Sequence, residues 1–318
     1  MVITVTLNPA LDKTMVLDGM EIGEVNRTVS SRNDIGGKGI NVSKVLNAFG
    51  MRSVATGFLG RSSENLFSQE LKRLMIDDRF VRVEGTTRTN IKLVDIRNRT
   101  HTDINEPGPE ISSEELEEFF RVFEESVREG DMVVLSGGIL PNIRADIYAV
   151  LTRRAKDKGA MVIVDAEGEA LRLALAEIPY LIKPNEKELA SYLGKEVLSE
   201  MEIIHEAKEF VSKGIRKVLV SRGHNGSILV TENGVLIGHG SKVKVKSTVG
   251  AGDSMVAALV HAEMHKLDDF ETLALAQATG TAAVTTEGTR ACTMEEVDCY
   301  LKSAREKIEE VVKRSSLK

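Results

Sequence analysis

Apolar residues along this chain follow two rhythms. Short unbroken apolar runs stopped by Gly, Pro or Asn read as strands buried on both faces, and longer stretches with apolar positions three and four apart read as helices. Val2 to Leu7 is the first such run and ends at Asn8-Pro9. Ser112 and Glu115 form a capping box for a helix through Val127. From there the alternation is regular: strand Met132–Ser136 ending at Gly137-Gly138, helix Ala145–Lys158, strand Met161–Asp165, helix Glu169–Ala176, then strand Tyr180–Lys183 closed by Pro184-Asn185. A short helix follows, then a helix capped by Ser199 and Glu202, and strand Lys217–Ser221. Such alternation predicts an α/β fold with a doubly wound, mostly parallel sheet and helices on both faces. A hairpin, Ser227–Val230 with Val235–Ile237, breaks it, and three late helical segments follow, the last capped by Thr293 and Glu296.

Two stretches do not fit the core rhythm. Residues 13–34 are polar and alternating, and Thr86 to His101 is rich in Arg, Asn and β-branched residues with apolar positions at Ile91, Leu93 and Ile96. They predict a small separate sheet, a lid built from about 13–34 and 86–105, on which Arg88 and Asn90 share a face at period two. With no repeat, linker or low-complexity segment, residues 1–318 are expected to form a single domain carrying that lid.

Composition narrows the function classes. A net charge of −6 without a basic stripe argues against nucleic acid as a partner. No apolar run approaches membrane-spanning length, and Met1 leads straight into a strand, so a membrane partner and a secretory leader are not expected. Two cysteines, Cys292 and Cys299, in a predicted helical region suit packing in a reducing cytoplasm.

Candidate chemistry concentrates in two glycine turns. Ser247-Thr248-Val249-Gly250-Ala251-Gly252-Asp253-Ser254 leads into an apolar helix, so bare backbone N–H groups and a helix N-terminus face any anion there. Asp253 stands beside that anion site, where a carboxylate accepts a proton from a hydroxyl. A plain glycine turn with a first-turn acid reads this stretch equally well. Ile35-Gly36-Gly37-Lys38-Gly39-Ile40-Asn41 opens a helix from Val42 to Phe49. It is not a Walker A loop, because Arg32 and Gly39 hold the positions that need Gly and Ser or Thr. Neither turn has the third glycine of a dinucleotide fingerprint, which disfavours a nicotinamide dehydrogenase. Asp12 follows the first strand at its carboxyl end, where α/β ligands bind. Asn185 and Glu188, three apart after a strand, read either as a helix cap or as a pair holding Mg²⁺ through water. His261 and His265 lack the glutamate of a zinc motif and read as a solvated helix face.

Gly36-Gly37-Lys38-Gly39-Ile40-Asn41-Val42-Ser43 and Ser247 to Ser254 resemble the two signatures of the phosphofructokinase B family of ribokinase-like sugar kinases, in order and separation. Thr6-Leu7-Asn8-Pro9-Ala10-Leu11-Asp12 and Thr102-Asp103-Ile104-Asn105-Glu106-Pro107-Gly108-Pro109 most resemble the 1-phosphofructokinases within it, with tagatose-6-phosphate kinases and minor 6-phosphofructokinases as neighbours. The resemblance implies a three-layer α/β/α fold, ATP and Mg²⁺, a sugar-phosphate substrate, and a homodimer formed through the lid. It implies Asp253 as general base, an anion hole from Gly250, Ala251 and Gly252, and sugar hydroxyls held by Asp12, Gly37 and Asn41. It further implies Arg27, Lys38, Arg88 and Ser136 on the substrate phosphate, Glu188 on Mg²⁺, and Lys183, Asn185, Ser221, Gly223 and Gly226 on the nucleotide. The 6-phosphofructokinase relatives have lysine where this chain has Val25, so phosphate recognition is expected to differ. K⁺ held by Ser247, Val249 and Gly288 is expected beneath the anion loop, with the Arg290 guanidinium as an alternative occupant. A sugar-phosphate sensor without turnover on the same fold stays open.

Overall fold

The computed structural model describes residues 1–286, 288 and 290–311. In chain order it begins β1 (Val2–Thr6), β2 (Ala10–Leu17), β3 (Thr28–Gly36), α1 (Lys38–Ala48), β4 (Ser53–Gly60), α2 (Glu64–Arg73), β5 (Asp77–Asp78) and β6 (Val81–Val83). Next come β7 (Arg88–Asp95), β8 (Thr100–Asn105), α3 (Ser113–Ser126), β9 (Met132–Ser136), α4 (Ile147–Asp157), β10 (Met161–Asp165), α5 (Gly168–Leu175) and β11 (Leu181–Ile182). The rest is α6 (Glu186–Tyr192), α7 (Glu200–Ser212), β12 (Lys217–Ser221), β13 (Ser227–Thr231), β14 (Gly234–Gly238), α8 (Ala251–Met264), α9 (Asp269–Val284), α10 (Met294–Glu306) and β15 (Ile308–Glu310).

Among the described residues the large sheet runs β15-β14-β13-β12-β11-β10-β9-β1-β4-β5, with β6 also on β4. It is parallel from β5 through β12, and the β12–β15 edge is antiparallel. Alternation within each strand sorts side chains between two helix layers. Val133 and Leu135 of β9 pack with Phe119, Tyr148 and Phe210 on one face. Met132 and Val134 pack on the other face with Val45, Leu259 and Leu275 from α1, α8 and α9. Burial on both faces is why these strands read as continuous apolar runs.

The second sheet, β3-β2-β7-β8, stands apart as expected. β2 pairs parallel with β7 and antiparallel with β3, which places Asp12 beside both Asn90 and Asp34. The sheet is anchored where β1 runs into β2 and where β3 runs into α1.

Some boundaries differ from the sequence reading. α1 begins at Lys38, not Val42, because Gly37 at φ 116° turns the chain sharply enough to start the helix at once. Gly39 then packs so tightly that a Cβ there would lie 2.7 Å from the Val5 carbonyl oxygen. Residues 50–85, which the apolar rhythm left unread, supply β4, α2 and a separate small core around Phe67, Leu71 and Phe80. Cys292 is buried before α10, not within a helix, and Cys299 is exposed on α10. His261 is half-buried, its ring edge-on to Phe49 and stacked on His265. No helix among the described residues is long and apolar enough to cross a membrane.

Phe119 is fully buried, its ring centroid 4.9 Å from that of Phe58 and 6.2 Å from that of Phe123. Phe119→Ala is expected to destabilise the protein by about 3–5 kcal/mol, measured by urea unfolding. A loss below about 1 kcal/mol would mean that this layer repacks freely.

Candidate active site

Strand order reverses at β1, which has β4 on one side and β9 on the other. The crevice outside the carboxyl ends of the strands at that point is where an open α/β sheet binds ligands. Residues from the sheet, from α1, α6 and α8 and from the second sheet meet there.

The first to place is Asp165, the last residue of β10. It is 1% exposed, so its charge requires partners. Lys183 Nζ lies 3.2 Å from Oδ1, Lys38 Nζ lies 3.7 Å from Oδ2, and Ser136 Oγ donates to Oδ2 at 3.4 Å. Burial pushes the carboxyl up, but the two lysines outweigh it and hold it below the usual range. Lys38 also lies 3.9 Å from Glu188 Oε1. Burial opposes the Lys38 charge, yet Asp165, Glu188 and Asp253 together raise its pKa above the ordinary value. The sequence reading did not single out Asp165. Its only signal was an acid closing an otherwise apolar strand.

Asp253 sits in the first turn of α8, 6% exposed, after Gly250 in a left-handed conformation at φ 78°. Asn41 Nδ2 donates to its Oδ2 at 2.8 Å across the α1–α8 contact. Burial, then the nearby Asp165 charge, push Asp253 up to about 6, with Asn41, Lys38 and Lys183 pulling the other way. A carboxylate with that value is poised to take a proton near neutral pH. A Cβ on Gly252 would be 3.3 Å from Lys183 Nζ, so the anion loop and the buried lysine lie side by side.

The lid contributes the far wall. Asp12 Oδ1 accepts from Asn90 Nδ2 at 3.0 Å, and Arg88 Nη2 donates to the Asn8 carbonyl at 3.2 Å. Burial raises Asp12 despite the Asn90 bond. Lys44, buried on α1, donates to the Ile35 carbonyl. Thr6 Oγ1, Asn8 Oδ1, Asn41 Oδ1, Asn90 Oδ1 and Arg88 Nε are buried without a hydrogen-bond partner. Buried polar atoms are ordinarily satisfied, so these suit a polyhydroxyl or phosphate ligand. Gly36 and Gly37 keep this wall tight, since a Cβ on either would fall 2.0 Å from Asp12 Oδ2 or 2.6 Å from Thr6 Cγ2. Arg27 is not brought in. It is exposed ahead of β3, and no described residue pairs with it.

Asn185 and Glu188 form a complete capping box, Asn185 N to Glu188 Oε2 and Glu188 N to Asn185 Oδ1, both 2.8 Å. The cap uses only one carboxylate oxygen, and the other lies 3.9 Å from Lys38 Nζ. Burial, and then the nearby Asp165 charge, raise the Glu188 pKa. Two carboxylates suit a hard divalent cation that keeps most of its waters. Among the described residues, no three His, Cys, Asp or Glu side chains form a metal-binding group. Asn185 bridges Ser221, where Gly223 and then Gly226 turn the chain at φ 56° and 96°. A Cβ on Gly226 would lie 2.0 Å from the Gly238 carbonyl oxygen.

Beside the anion loop, Lys246 N and Ser247 N both donate to the Val284 carbonyl, and Val249 N donates to Ser247 Oγ at 3.2 Å. Gly288 lies in the turn beyond, where Glu287 and Thr289 fall outside the described residues. Arg290 forks onto Glu296 at 2.6 and 3.2 Å.

Residues 5–296 match the pfkB family carbohydrate kinase model. A 1-phosphofructokinase of Rhodobacter capsulatus is 39% identical, covering 86% of this chain and 87% of its own. One from Vibrio cholerae is 35% identical over 90% of both. The phosphofructokinase-2 from Escherichia coli, solved in complex with substrates and products, superposes with a TM-score of 0.90 at 27% identity, covering 95% of this chain and 99% of its own. The same protein has been solved with fructose-6-phosphate and with potassium. With most of its length matched and its crevice built from the two glycine turns, this chain belongs to the pfkB family of carbohydrate kinases.

Proposed function

We infer that this chain transfers the γ-phosphoryl group of ATP to the 6-hydroxyl of fructose 1-phosphate, giving fructose 1,6-bisphosphate. The observation that carries the reading is the buried Asp253, held by Asn41 beside the Gly250–Gly252 turn and close to a second wall of unpartnered polar atoms. Asp12, Asn41 and Asn90 hold sugar hydroxyls, and Arg88 holds the phosphate already present. Asp253 accepts the hydroxyl proton as the oxygen attacks, while the turn's N–H groups and Lys183 stabilise the charge on the transferring group. Asp165 and Glu188 would hold Mg²⁺, which neutralises phosphate charge when bound. The lid excludes water and so suppresses hydrolysis of ATP. Val29 and Ile104, 63% and 51% exposed on the lid, favour its pairing with a second copy. The free thiols of Cys292 and Cys299 agree with a reducing cytoplasm. A panel of fructose 1-phosphate, fructose 6-phosphate and tagatose 6-phosphate ranked by kcat/KM tests the substrate. Preference for either 6-phosphate would overturn it.

Asp253→Asn is expected to lower kcat at least about 100-fold with KM little changed. In the parent, kcat/KM is expected to fall below about pH 6, and the variant's residual rate to lack that limb. Stability should move the other way. The folded pKa lies above the unfolded value of 3.8, so burying this carboxyl favours the protonated form, an advantage lost as pH rises through about 6. At pH 8 the Asn variant should therefore be the more stable by about 3 kcal/mol, and at pH 3 the gain should vanish. An unchanged kcat would remove Asp253 from the chemistry.

Glu188→Gln separates capping from metal binding, because the amide oxygen still accepts from Asn185 N. Melting temperature should hold within about 2 °C, a change of under 1 kcal/mol, while the Mg²⁺ concentration for half-maximal rate rises severalfold. A lowered melting temperature with an unaltered Mg²⁺ titration would assign Glu188 to the cap alone.

A monovalent cation held by Ser247, Val249 and Gly288 would fix the geometry of the anion loop. With Arg290 committed to Glu296, K⁺ is the better occupant. Dialysed enzyme assayed in K⁺, Na⁺ or tetramethylammonium at matched ionic strength is expected to be fastest in K⁺. Equal rates would discard the site.

A further inference from the structure

Arg32 has no role in the site described above. It lies on β3, the lid strand whose end runs through Ile35 and Gly36 into the first glycine turn. Its Nε donates to Asp34 Oδ2 at 2.7 Å, which fixes the orientation of the guanidinium. The tip reaches out of the lid and onto the body of the molecule. A Cβ on Gly288 would be 1.8 Å from Arg32 Nη2 and 3.1 Å from its Cζ. Gly288 stands in the turn after α9 at φ 60°, so glycine serves there both the backbone and the arriving guanidinium.

Each end of this contact is tied to the active site. On the lid side, Asp34 faces Asp12 across β2 and β3, and Lys44 holds the next carbonyl, that of Ile35. On the body side, the carbonyl of Val284 at the end of α9 accepts from Lys246 N and Ser247 N, at the start of the anion loop. Arg32 thus runs from β3, the strand beside Asp12, to the turn after α9, and the end of that helix is hydrogen-bonded to the start of the anion loop. Asp34 neutralises its charge locally, and no hydrogen bond ties the tip to Gly288. The contact is a steric seat, weak enough to open and close with the lid.

We propose that Arg32 is a positioning residue, a latch that seats lid strand β3 on Gly288 and sets the spacing between the sugar wall and the anion loop. Its kinetic consequence rests on the kinase reading above; the seat itself does not. Arg32→Ala is expected to raise KM for the sugar phosphate about tenfold through misplacement of the lid, and to leave KM for ATP within about twofold. It should also raise ATP hydrolysis in the absence of sugar, since a loosened lid admits water.

The test is a double-mutant cycle of Arg32→Ala, Gly288→Ala and the pair. The new methyl of Gly288→Ala would occupy the place of Nη2, so it should reproduce the sugar-KM and hydrolysis effects of Arg32→Ala, and the pair should be no worse than either alone. Amide hydrogen exchange without substrate supplies the second readout. Both single variants should exchange faster over Thr28–Gly36, with α9 amides unchanged. Additive effects in the cycle, or β3 exchange identical to the parent, would overturn the latch. If the parent phosphorylates none of the three sugars, the proposed function fails, and the exchange cycle still decides the latch.

Discussion

A carboxylate buried at the end of β10 is the constraint on which the rest of the site depends. An ionised Asp165 in a low-dielectric setting costs several kcal/mol unless cations reach it. Lys183 from the end of β11 and Lys38 from the start of α1 both do. Neither amine could arrive unless the strands ended in register and α1 began immediately after its glycine turn. Meeting that electrostatic demand therefore draws together the ends of β9, β10 and β11 and the N-terminus of α1. The same residues then confront any phosphate with two lysines and any metal with two carboxylates.

Asp253 shows the opposite use of burial. Asp165 is held ionised by cations on both of its oxygens, whereas Asp253 has one Asn41 bond and the Asp165 charge nearby. Two acids in one crevice are thus driven apart in proton affinity, one fixed as a counter-ion and the other left able to gain a proton. This division suits an acceptor hydroxyl that must lose a proton as it attacks. The cost falls on stability, as is common where function requires an under-compensated buried charge.

The lid is built on different physics. Its strands expose much of their surface and draw little on the main core. Beyond the connections from β1 and into α1, they are held by point contacts, among them Arg88 to Asn8, Lys44 to Ile35, and Arg32 against Gly288. Few buried apolar contacts mean low local stability, which a wall that must admit and release substrate requires.

Much of this was legible in the chain itself, because local rules carried it. Continuous apolar runs fixed the buried parallel strands, the capping boxes at Ser112, Asn185, Ser199 and Thr293 marked helix starts, and period two put Arg88 and Asn90 on one face of the lid. The two glycine turns announced both halves of the site, since only a turn without side chains lets backbone reach a ligand. Tertiary structure alone decided the rest. Asp165 was unremarkable as the last residue of a strand, and its meaning comes from Lys38, far away in sequence, and from Lys183. Asn41 and Asp253, 212 residues apart, meet only because α1 packs on α8. Glu188 reads in sequence either as a cap or as a metal-binding acid, and the fold shows that one oxygen makes the cap while the other lies 3.9 Å from Lys38 Nζ. Arg27 carries the charge for a phosphate contact but is exposed and pairs with no described residue, and Arg32, without any motif, reaches Gly288 in the turn after α9. Charge and glycine spacing are properties of the chain, whereas which charges become buried together depends on how its helices cross.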